Sequence, residues 1–286
     1  MNELNYSSMD MAQETGLTTE GLRFYEKNGI IEVKKRENGY RVYDIMQVPL
    51  LRMVKILNAY GIPLSEITGL VRRQDDGLDD LGDALERQAH TLEKEIWWRQ
   101  VLLRRLKTQR RLVDIARNTP DRIWFATLPE MGFLEYSGAK KLRRNRELQK
   151  VLQTWIAHMP ATYPMPILHA GDIGRSDAYC PAGFACPADG MAVLGLEMGG
   201  FVTRIPQKQY ICRISRQEEC GRIDPLGSVA PLLETAGRMG LKSDGDALYM
   251  SFSAAQPERE ALRLHYAVYL PVVPEDQTDT PENSPL

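Results

Sequence analysis

The first seventy residues alternate short amphipathic stretches with turn signals. Ser8 before the first stretch and Gly16 after it predict a short helix. Thr18 or Thr19 then caps a second helix, which runs to the stop signal Asn28-Gly29. Two short helices joined by a tight glycine turn indicate a helix-turn-helix.

A β-hairpin is predicted next. Asn38-Gly39 lies between β-prone flanks, the strongest short-range signal for a hairpin. The basic run Lys34-Lys35-Arg36 precedes this turn and Tyr40-Arg41-Val42-Tyr43 follows it. The pattern is that of a wing whose cations suit contact with phosphates.

Two further helices complete this region. Asp44 is the predicted cap of a third helix, with Leu50 and Leu57 on its apolar face. Gly61-Ile62-Pro63 ends that helix, and a short fourth one runs to about Val71.

A long helix is predicted over 78–118. Apolar residues recur along it at spacings of three and four, which favours one continuous apolar stripe: Leu81, Leu85, Leu92, Leu102, Leu106 and Val113. Such a helix would span about 60 Å. It is either a solvated linker or a dimerising antiparallel coiled coil, and we favour the coiled coil because the stripe persists over several heptads. A basic cluster is assigned to its solvated face: Arg104, Arg105, Lys107, Arg110 and Arg111.

Beyond Thr119-Pro120 the pattern changes to strands and repeats once. The first copy comprises a strand at 133–137, a helix at 142–157 and strands at 168–171 and 192–198. The second comprises a strand at 209–214, a helix at 225–239 and strands at 248–253 and 263–271. Two copies of strand-helix-strand-strand predict a pseudo-symmetric α+β domain whose sheets meet around a cleft.

The predicted organisation therefore has four parts. These are a winged helix-turn-helix at 1–75, a dimerisation helix at 76–118, an effector domain at 119–273 and a disordered tail at 274–286. The tail is assigned on its acidic, proline-containing composition.

Composition adds few constraints. No segment approaches the run of about eighteen apolar residues that a membrane span needs, and the N-terminus lacks the features of a signal peptide. We therefore expect a cytoplasmic protein with no membrane partner. The net charge of -2 neither supports nor excludes a nucleic-acid partner.

The four cysteines are expected to be reduced thiols. Cys180 and Cys186 are spaced too widely for a typical zinc pair. No metal or other cofactor is predicted.

Three ordered motifs resemble the MerR family of bacterial regulators. They are Leu22-Arg23-Phe24-Tyr25-Glu26, Asn38-Gly39-Tyr40-Arg41-Val42-Tyr43 and Gly61-Ile62-Pro63-Leu64-Ser65-Glu66-Ile67. Gly21 and Glu20 depart from the family pattern, and Gly21 costs about 1 kcal/mol of helix propensity. These departures leave the base preference open.

The resemblance implies that the second helix enters the major groove and that the wing holds the flanking backbone. The residues assigned to DNA contact are Thr18, Thr19, Arg23, Tyr25, Lys34, Lys35, Arg36, Asn38, Tyr40, Arg41 and Tyr43. Phe24 is assigned to packing between helix and wing. The resemblance also implies a homodimer that acts with RNA polymerase on double-stranded promoter DNA. It further implies that, on binding its effector, the dimer distorts an over-long promoter spacer and activates transcription.

The C-terminal half resembles the GyrI-like effector domain of multidrug-sensing members, on its duplicated pattern and its last strand, HYAVYLPV. Metal-sensing members place cysteines near the dimerisation helix, whereas this chain has none before Cys180. The implied effector is a small lipophilic aromatic molecule with an optional positive charge. The residues assigned to its pocket are Tyr136, Tyr163, Phe184, Glu197, Phe201, Tyr249, Tyr266 and Tyr269.

One family feature is missing. The acid that neutralises a cationic drug is replaced by Ala267, and the equivalent position in the first copy is assigned to Val193. Glu197 is the candidate substitute.

Two other functions stay open. The domain could be a ligand-hydrolysing enzyme, although the sequence has no nucleophile motif and its histidines form no cluster, so no catalytic residue is assigned. It could also be a ligand-independent repressor whose C-terminal half only stabilises the dimer.

Overall fold

The computed structural model describes residues 5–73, 77–137, 145–217, 224–256 and 263–275. The chain divides into two compact units, and the boundary between them falls between Ile96 and Trp97, inside one long helix. In the described ranges no helix is both long and apolar enough to cross a bilayer.

The N-terminal unit is mainly helical. In chain order its elements are β1 (Asn5–Tyr6), α1 (Ser8–Thr15), α2 (Thr19–Lys27), β2 (Lys34–Lys35), β3 (Arg41–Asp44), α3 (Gln47–Ala59), α4 (Leu64–Val71) and the first part of α5 (Leu78–Asn118).

The caps explain where the first two helices begin and end. Ser7, one residue before the predicted cap, forms a capping box with Asp10 at the start of α1. Gly16 ends α1 with a φ of 62°, a left-handed conformation that favours glycine. Thr18 caps α2 by accepting a hydrogen bond from the Gly21 amide.

The hairpin belongs to a small antiparallel sheet with strand order β1-β3-β2. Its turn is a three-residue loop: the Gly39 amide donates to the Arg36 carbonyl at 2.8 Å, and the Arg36 amide donates to the Tyr40 carbonyl at 2.9 Å. Gly39 has a φ of 80°, as the left-handed position of this loop type requires.

The third helix begins later than predicted. The residue before α3 is Met46, which makes no side-chain cap, while the carboxylate of Asp44 accepts from the Met46 amide at 2.9 Å. Apolar side chains from all four short helices and the hairpin form the core of this unit, with Leu22, Tyr43, Leu51, Ile62 and Ile67 almost completely buried.

Helix α5 is a single helix of 41 residues with the predicted ends, which confirms the long helix. Its apolar residues do not form one stripe, however. Leu81 packs against the N-terminal core and Val113 against the C-terminal core, whereas Leu85, Leu92 and Leu106 are exposed. One helix therefore has separate apolar faces for separate contacts.

The C-terminal unit is rich in strands. Its elements after α5 are β4 (Trp124–Leu128), β5 (Met131–Glu135), α6 (Arg146–Ala157), β6 (Tyr163–Pro164), β7 (Ile167–Leu168), a 3-10 turn (Ala170–Asp172), β8 (Gly183–Pro187), α7 (Ala188–Leu194), β9 (Val202–Ile205), β10 (Lys208–Gln217), α8 (Pro225–Arg238), β11 (Leu241–Ser243), β12 (Ala247–Ala255) and β13 (Arg263–Pro274).

These strands form two antiparallel sheets. The larger has the order β4-β10-β13-β12-β7, with β11 also paired to β13, and the smaller has the order β6-β8-β5-β9. Helix α8 covers one face of the large sheet through Leu232 and Ala236. Helix α6 covers one face of the small sheet through Leu152 and Trp155.

The other faces of the two sheets share a third core with the C-terminal part of α5. Strand residues Phe133, Ile214 and Tyr269 lie in it together with Leu112 and Ile115 of α5. Successive residues of a strand point to opposite faces, so each strand contributes alternately to this shared core and to a helix-covered core.

The structure corrects several predicted elements. The predicted strand 192–198 is wrong, because Ala192 to Leu194 end helix α7 and Gly195 closes it with a φ of 65°. The predicted strand 168–171 ends at Leu168 and gives way to the 3-10 turn. Strands β4, β8 and β9 were not predicted, while the helix starting at 142 begins at Arg146 within the described residues.

The C-terminal end also differs. Strand β13 extends through Pro274, beyond the predicted end at Pro271. The rest of the predicted tail, 276–286, lies outside the described residues.

Candidate functional site

Helix α2 presents one polar face to solvent. Arg23 and Phe24 project from it, and Phe24 is 53% exposed. Thr18 and Thr19 lie at its N-terminal end, where the hydroxyl of Thr18 is engaged with the Gly21 amide at 3.0 Å. This face can place an arginine and an aromatic ring against a flat or grooved partner.

The hairpin continues this surface with cations. Lys34, Lys35, Arg36 and Asn38 are all exposed, and Tyr40 is 72% exposed. The side chain of Asn38 accepts from the Tyr40 amide at 3.2 Å, which orders the tip. Exposed cations on a rigid hairpin are suited to contact phosphates.

Arg41 has a different environment from its neighbours. Its Nε lies 2.8 Å from Oε2 of Glu26 on α2, with both side chains less than one-third exposed. This ion pair raises the pKa of the Arg41 guanidinium. Arg41 therefore joins the hairpin to α2, and its charge is already balanced within the domain.

Three aromatic assignments change. Tyr25 and Tyr43, both assigned to DNA contact, lie in the core, with Tyr43 fully buried. Phe24, assigned to core packing, is exposed. The positions differ because Tyr25 is three residues after Leu22 and shares its buried helix face, whereas Phe24 does not.

Two of the cavities beside α5 in the C-terminal unit share part of their lining. The larger, about 580 Å³, lies among α5, β4, the end of β8 and the start of α7. The smaller, about 360 Å³, lies between α5 and the β12 residues Met250 to Ala254. Both volumes are typical of small-molecule sites.

Four residues line both cavities: Arg105, Thr108, Tyr163 and Met250. The guanidinium carbon of Arg105 lies 3.2 Å from the centre of the Tyr163 ring, a cation–π contact. Burial raises the pKa of the Tyr163 phenol, and its hydroxyl lies 3.2 Å from the sulfur of Met131. The two cavities thus share a wall built on Arg105.

The structure does not bring the eight predicted pocket residues together. Tyr163 and Tyr269 line a cavity. Tyr249 and Tyr266 lie in the core under α8 instead, where Tyr249 shares a hydrogen bond of 3.0 Å with Ser228. The remaining aromatic residues pack in the core under α6: Tyr136, Phe184 and Phe201.

Neither position considered for the pocket acid lines a cavity. Ala267 is fully buried in the shared core, and Glu197 is exposed and lines neither cavity. Val193 is exposed on α7, so its assignment as a strand position equivalent to Ala267 is wrong.

The cysteines with described surroundings lie apart. Cys180 packs in the core under α8, Cys186 in the core under α6 and Cys212 in the shared core, and all three are free thiols. Burial raises the pKa of the Cys180 and Cys186 thiols to about 12. Cys220 lies outside the described residues.

The sequence prediction missed the contribution of α5 to the cavities. Trp97, Val101, Arg105, Thr108 and Leu112 all line a cavity. They recur at spacings of three and four, so they share one helix face. The helical spacing of these five residues could have identified this face, because Arg105 is the one cation in a stripe that is otherwise uncharged. Grouping Arg105 with its basic neighbours on α5 assigned it to the solvated face instead.

Residues 6–74 match the family model described as MerR HTH family regulatory protein. The HTH-type transcriptional regulator CueR of Salmonella typhi is 36% identical over 86 residues, which cover 30% of this chain and 60% of that protein. The mercuric resistance operon regulatory protein of Bacillus cereus is 28% identical over 116 residues, covering 39% of this chain and 83% of that protein. Residues 6–74 of the N-terminal unit are thus similar to the MerR helix-turn-helix.

The family model matches only the N-terminal part of the chain. The chain spans less than two thirds of the length of the CueR relative. A cryo-EM structure of an EcmrR–DNA complex matches 94% of this chain and all of that chain, at 14% identity and a TM-score of 0.39.

Proposed function

We propose that this chain is a MerR-type transcription regulator. It binds promoter DNA as a dimer and responds to a small lipophilic molecule in the cavities beside α5. The observation that carries the proposal is the exposed surface formed by α2 and the hairpin, which lies within residues 6–74 that match the MerR family model.

The proposed DNA contacts follow from exposure and charge. Arg23 of α2 is directed at the major groove, and Phe24 is an apolar contact beside it. Lys34, Lys35 and Arg36 bind the flanking phosphates, with Tyr40 at the tip of the hairpin. Tyr25, Tyr43 and Arg41 maintain the shape of the domain. Affinity therefore comes mainly from the hairpin and base preference from α2.

Dimerisation is proposed to use the exposed seam of α5, defined by Leu85, Leu92, Ile96, Leu103 and Leu106. Each of these residues is between 37% and 66% exposed. Their successive spacings of seven, four, seven and three follow a heptad pattern, which is typical of a coiled-coil interface. A second copy of this chain offers the same seam.

The charge distribution of α5 favours antiparallel pairing. Acidic residues predominate in its first half: Asp79, Asp80, Asp83, Glu86, Glu93 and Glu95. Basic residues predominate in its second half: Arg99, Arg104, Lys107, Arg110, Arg111 and Arg117. Antiparallel packing would place the acidic half of one helix beside the basic half of the other, whereas parallel packing would bring like charges together.

The cavity and the exposed seam occupy the same helix. Val101, Arg105 and Thr108 face the cavities, while Leu103 and Leu106 lie on the exposed seam. A ligand that shifts α5 would therefore alter the dimer interface directly. We propose that this movement changes the spacing of the two DNA-binding units and distorts the promoter spacer for RNA polymerase.

In vitro transcription tests this proposal. The template is the DNA upstream of the protein's own gene, with RNA polymerase and a panel of anionic, neutral and cationic aromatic compounds. A transcript that increases with protein and ligand together supports the proposal. Equal repression with and without every compound would favour a ligand-independent repressor, and consumption of a compound by protein alone would favour a hydrolase.

A further inference from the structure

The wall shared by the two cavities contains a half-buried arginine, Arg105, with one buried and unused donor. The Nε of Arg105 donates to the carbonyl of Pro160 at 3.1 Å. Its Nη1 lies 4.0 Å from the sulfur of Met250, a weak contact. Its Nη2 is buried, and no described residue accepts a hydrogen bond from it.

No carboxylate balances this charge among the described ion pairs. Two acidic residues line the larger cavity, and each has its own arginine: Glu130 is paired with Arg204, and Asp189 lies 3.7 Å from Arg104. The electron-rich face of Tyr163 covers the guanidinium on one side only. Burial lowers the pKa of Arg105, but an arginine keeps its charge in proteins.

A charged group with one buried donor left unbonded is unfavourable, and a partner that completes its hydrogen bonding relieves the penalty. A planar guanidinium bonds best with an anionic oxygen, to which charge-assisted hydrogen bonds form. The cavities around Arg105 are otherwise lined largely by apolar and aromatic groups such as Tyr269, Met250 and Leu112. The site therefore combines the guanidinium of Arg105, which has no carboxylate partner among the described ion pairs, with mainly apolar walls.

We propose that the effector is a lipophilic anion, such as an aromatic carboxylate, whose oxygen accepts a hydrogen bond from the guanidinium of Arg105, which lines both cavities. This inference rests on the proposed function of the cavities and reverses the sign of the charge that the resemblance implied. The ligand's ring would pack against Met250 and Tyr269.

Three probes with one ring system test the charge preference: 2-naphthoate, 2-naphthamide and 2-naphthylmethylammonium. Isothermal titration calorimetry on the full-length protein gives each affinity. We expect the carboxylate to bind at least tenfold more tightly than the amide and the ammonium. An ammonium that binds as tightly as the carboxylate would overturn the inference while leaving the proposed ligand site intact.

Two variants assign the effect to Arg105. Arg105→Met keeps an unbranched side chain without the charge, and we expect it to lose at least tenfold in carboxylate affinity with little change for the amide. Arg110 is an exposed cation on the same helix and lines neither of these two cavities, so the Arg110→Gln protein should bind the carboxylate like wild type. Unchanged carboxylate binding by a folded Arg105→Met protein would contradict the inference.

The two proposals fail in different ways. If no probe of any charge binds the wild-type protein at millimolar concentration, the ligand site itself is rejected, and the inference with it. If Arg105→Met does not fold, comparing the affinities of the three probes for the wild-type protein still decides the sign of the effector's charge.

Discussion

The ion pair between Arg41 and Glu26 joins the hairpin to helix α2 through a contact of 2.8 Å between Nε and Oε2. It fixes the position of the exposed hairpin cations relative to the exposed face of α2. The sequence pattern assigns Lys35 and Arg41 to the same role, but the structure gives them different environments. Lys35 has an exposed charge available for a phosphate, whereas the charge of Arg41 is balanced inside the domain.

The salt dependence of DNA binding should distinguish these two residues. Each phosphate contact contributes about 0.9 to the slope of log K against log salt concentration. We therefore expect Lys35→Gln to reduce the slope by about one. Arg41→Gln should weaken binding with a nearly unchanged slope. It disturbs the position of the hairpin relative to α2 but removes no contact with a phosphate. Fluorescence anisotropy at several salt concentrations measures both slopes, and equal losses of slope would contradict the assignment.

The exposed seam of α5 should control the oligomeric state. Leu92→Glu places a charge within the seam, where a second helix would have to bury it, so we expect the dimer to dissociate. Lys94→Glu changes an exposed charge two residues away, off the seam, and should leave the dimer intact. Sedimentation equilibrium gives the mass of each. A dimeric Leu92→Glu protein would mean that another surface forms the interface.

Gly183 provides a test of packing between β5 and β8. A Cβ at this position would lie 2.5 Å from Cε2 of Phe133 and 3.1 Å from the carbonyl oxygen of Leu134. Phe133 is almost completely buried, so its ring has little room to move. We expect Gly183→Ala to lower the free energy of unfolding by about 1–3 kcal/mol, as overpacking does.

Urea unfolding measures this loss, and Gly171→Ala is its matched control. A Cβ at Gly171 meets nothing within 4 Å, so that variant should unfold like wild type. Equal stability of the two variants would show that the contact between Phe133 and Gly183 is not tight.

The buried thiol of Cys186 should be inert. Burial raises its pKa from an ordinary 9.0 to about 12. Because the thiolate is the reactive form, alkylation by iodoacetamide at pH 8 should be slowed about a thousandfold relative to the unfolded chain. Peptide mapping by mass spectrometry after timed alkylation measures the rate, with protein unfolded in guanidinium as the control. Rapid labelling of Cys186 in the folded protein would contradict its burial.

The same shift has a consequence for stability. The folded-state pKa lies above the unfolded value, so the folded protein retains this proton while the unfolded chain releases it. The stabilisation is complete below pH 9 and decreases as the pH rises from about 9 towards 12. Urea unfolding across this range should show stability falling with pH.

The N-terminal unit was largely predictable because local signals determine it. Gly16 and Gly39 both have positive φ, and Thr18 caps α2 as predicted. The error concerned which aromatic residue is buried. Leu22 and Tyr25 share the buried face of α2, so helical periodicity alone would have placed Phe24 outside.

The cavity was less predictable because strands and a distant helix assemble it. Tyr266 and Tyr269 lie three residues apart on β13 and therefore face opposite sides of the sheet. Grouping them by aromatic character put both in one pocket, whereas the structure places only Tyr269 there. Grouping by charge caused a similar error for Arg105. It was assigned with its basic neighbours to the solvated face, although helical spacing places it in an otherwise uncharged stripe.

A DNase I footprint on the DNA upstream of the protein's own gene tests the central claim most directly. We predict a protected site with two half-sites related by dyad symmetry, because a symmetric dimer would present α2 twice. Arg23→Gln should weaken or abolish this protection, while Lys94→Glu should leave it unchanged. The account would be contradicted if the wild-type protein protected no site, or if Arg23→Gln protected the site as strongly as wild type.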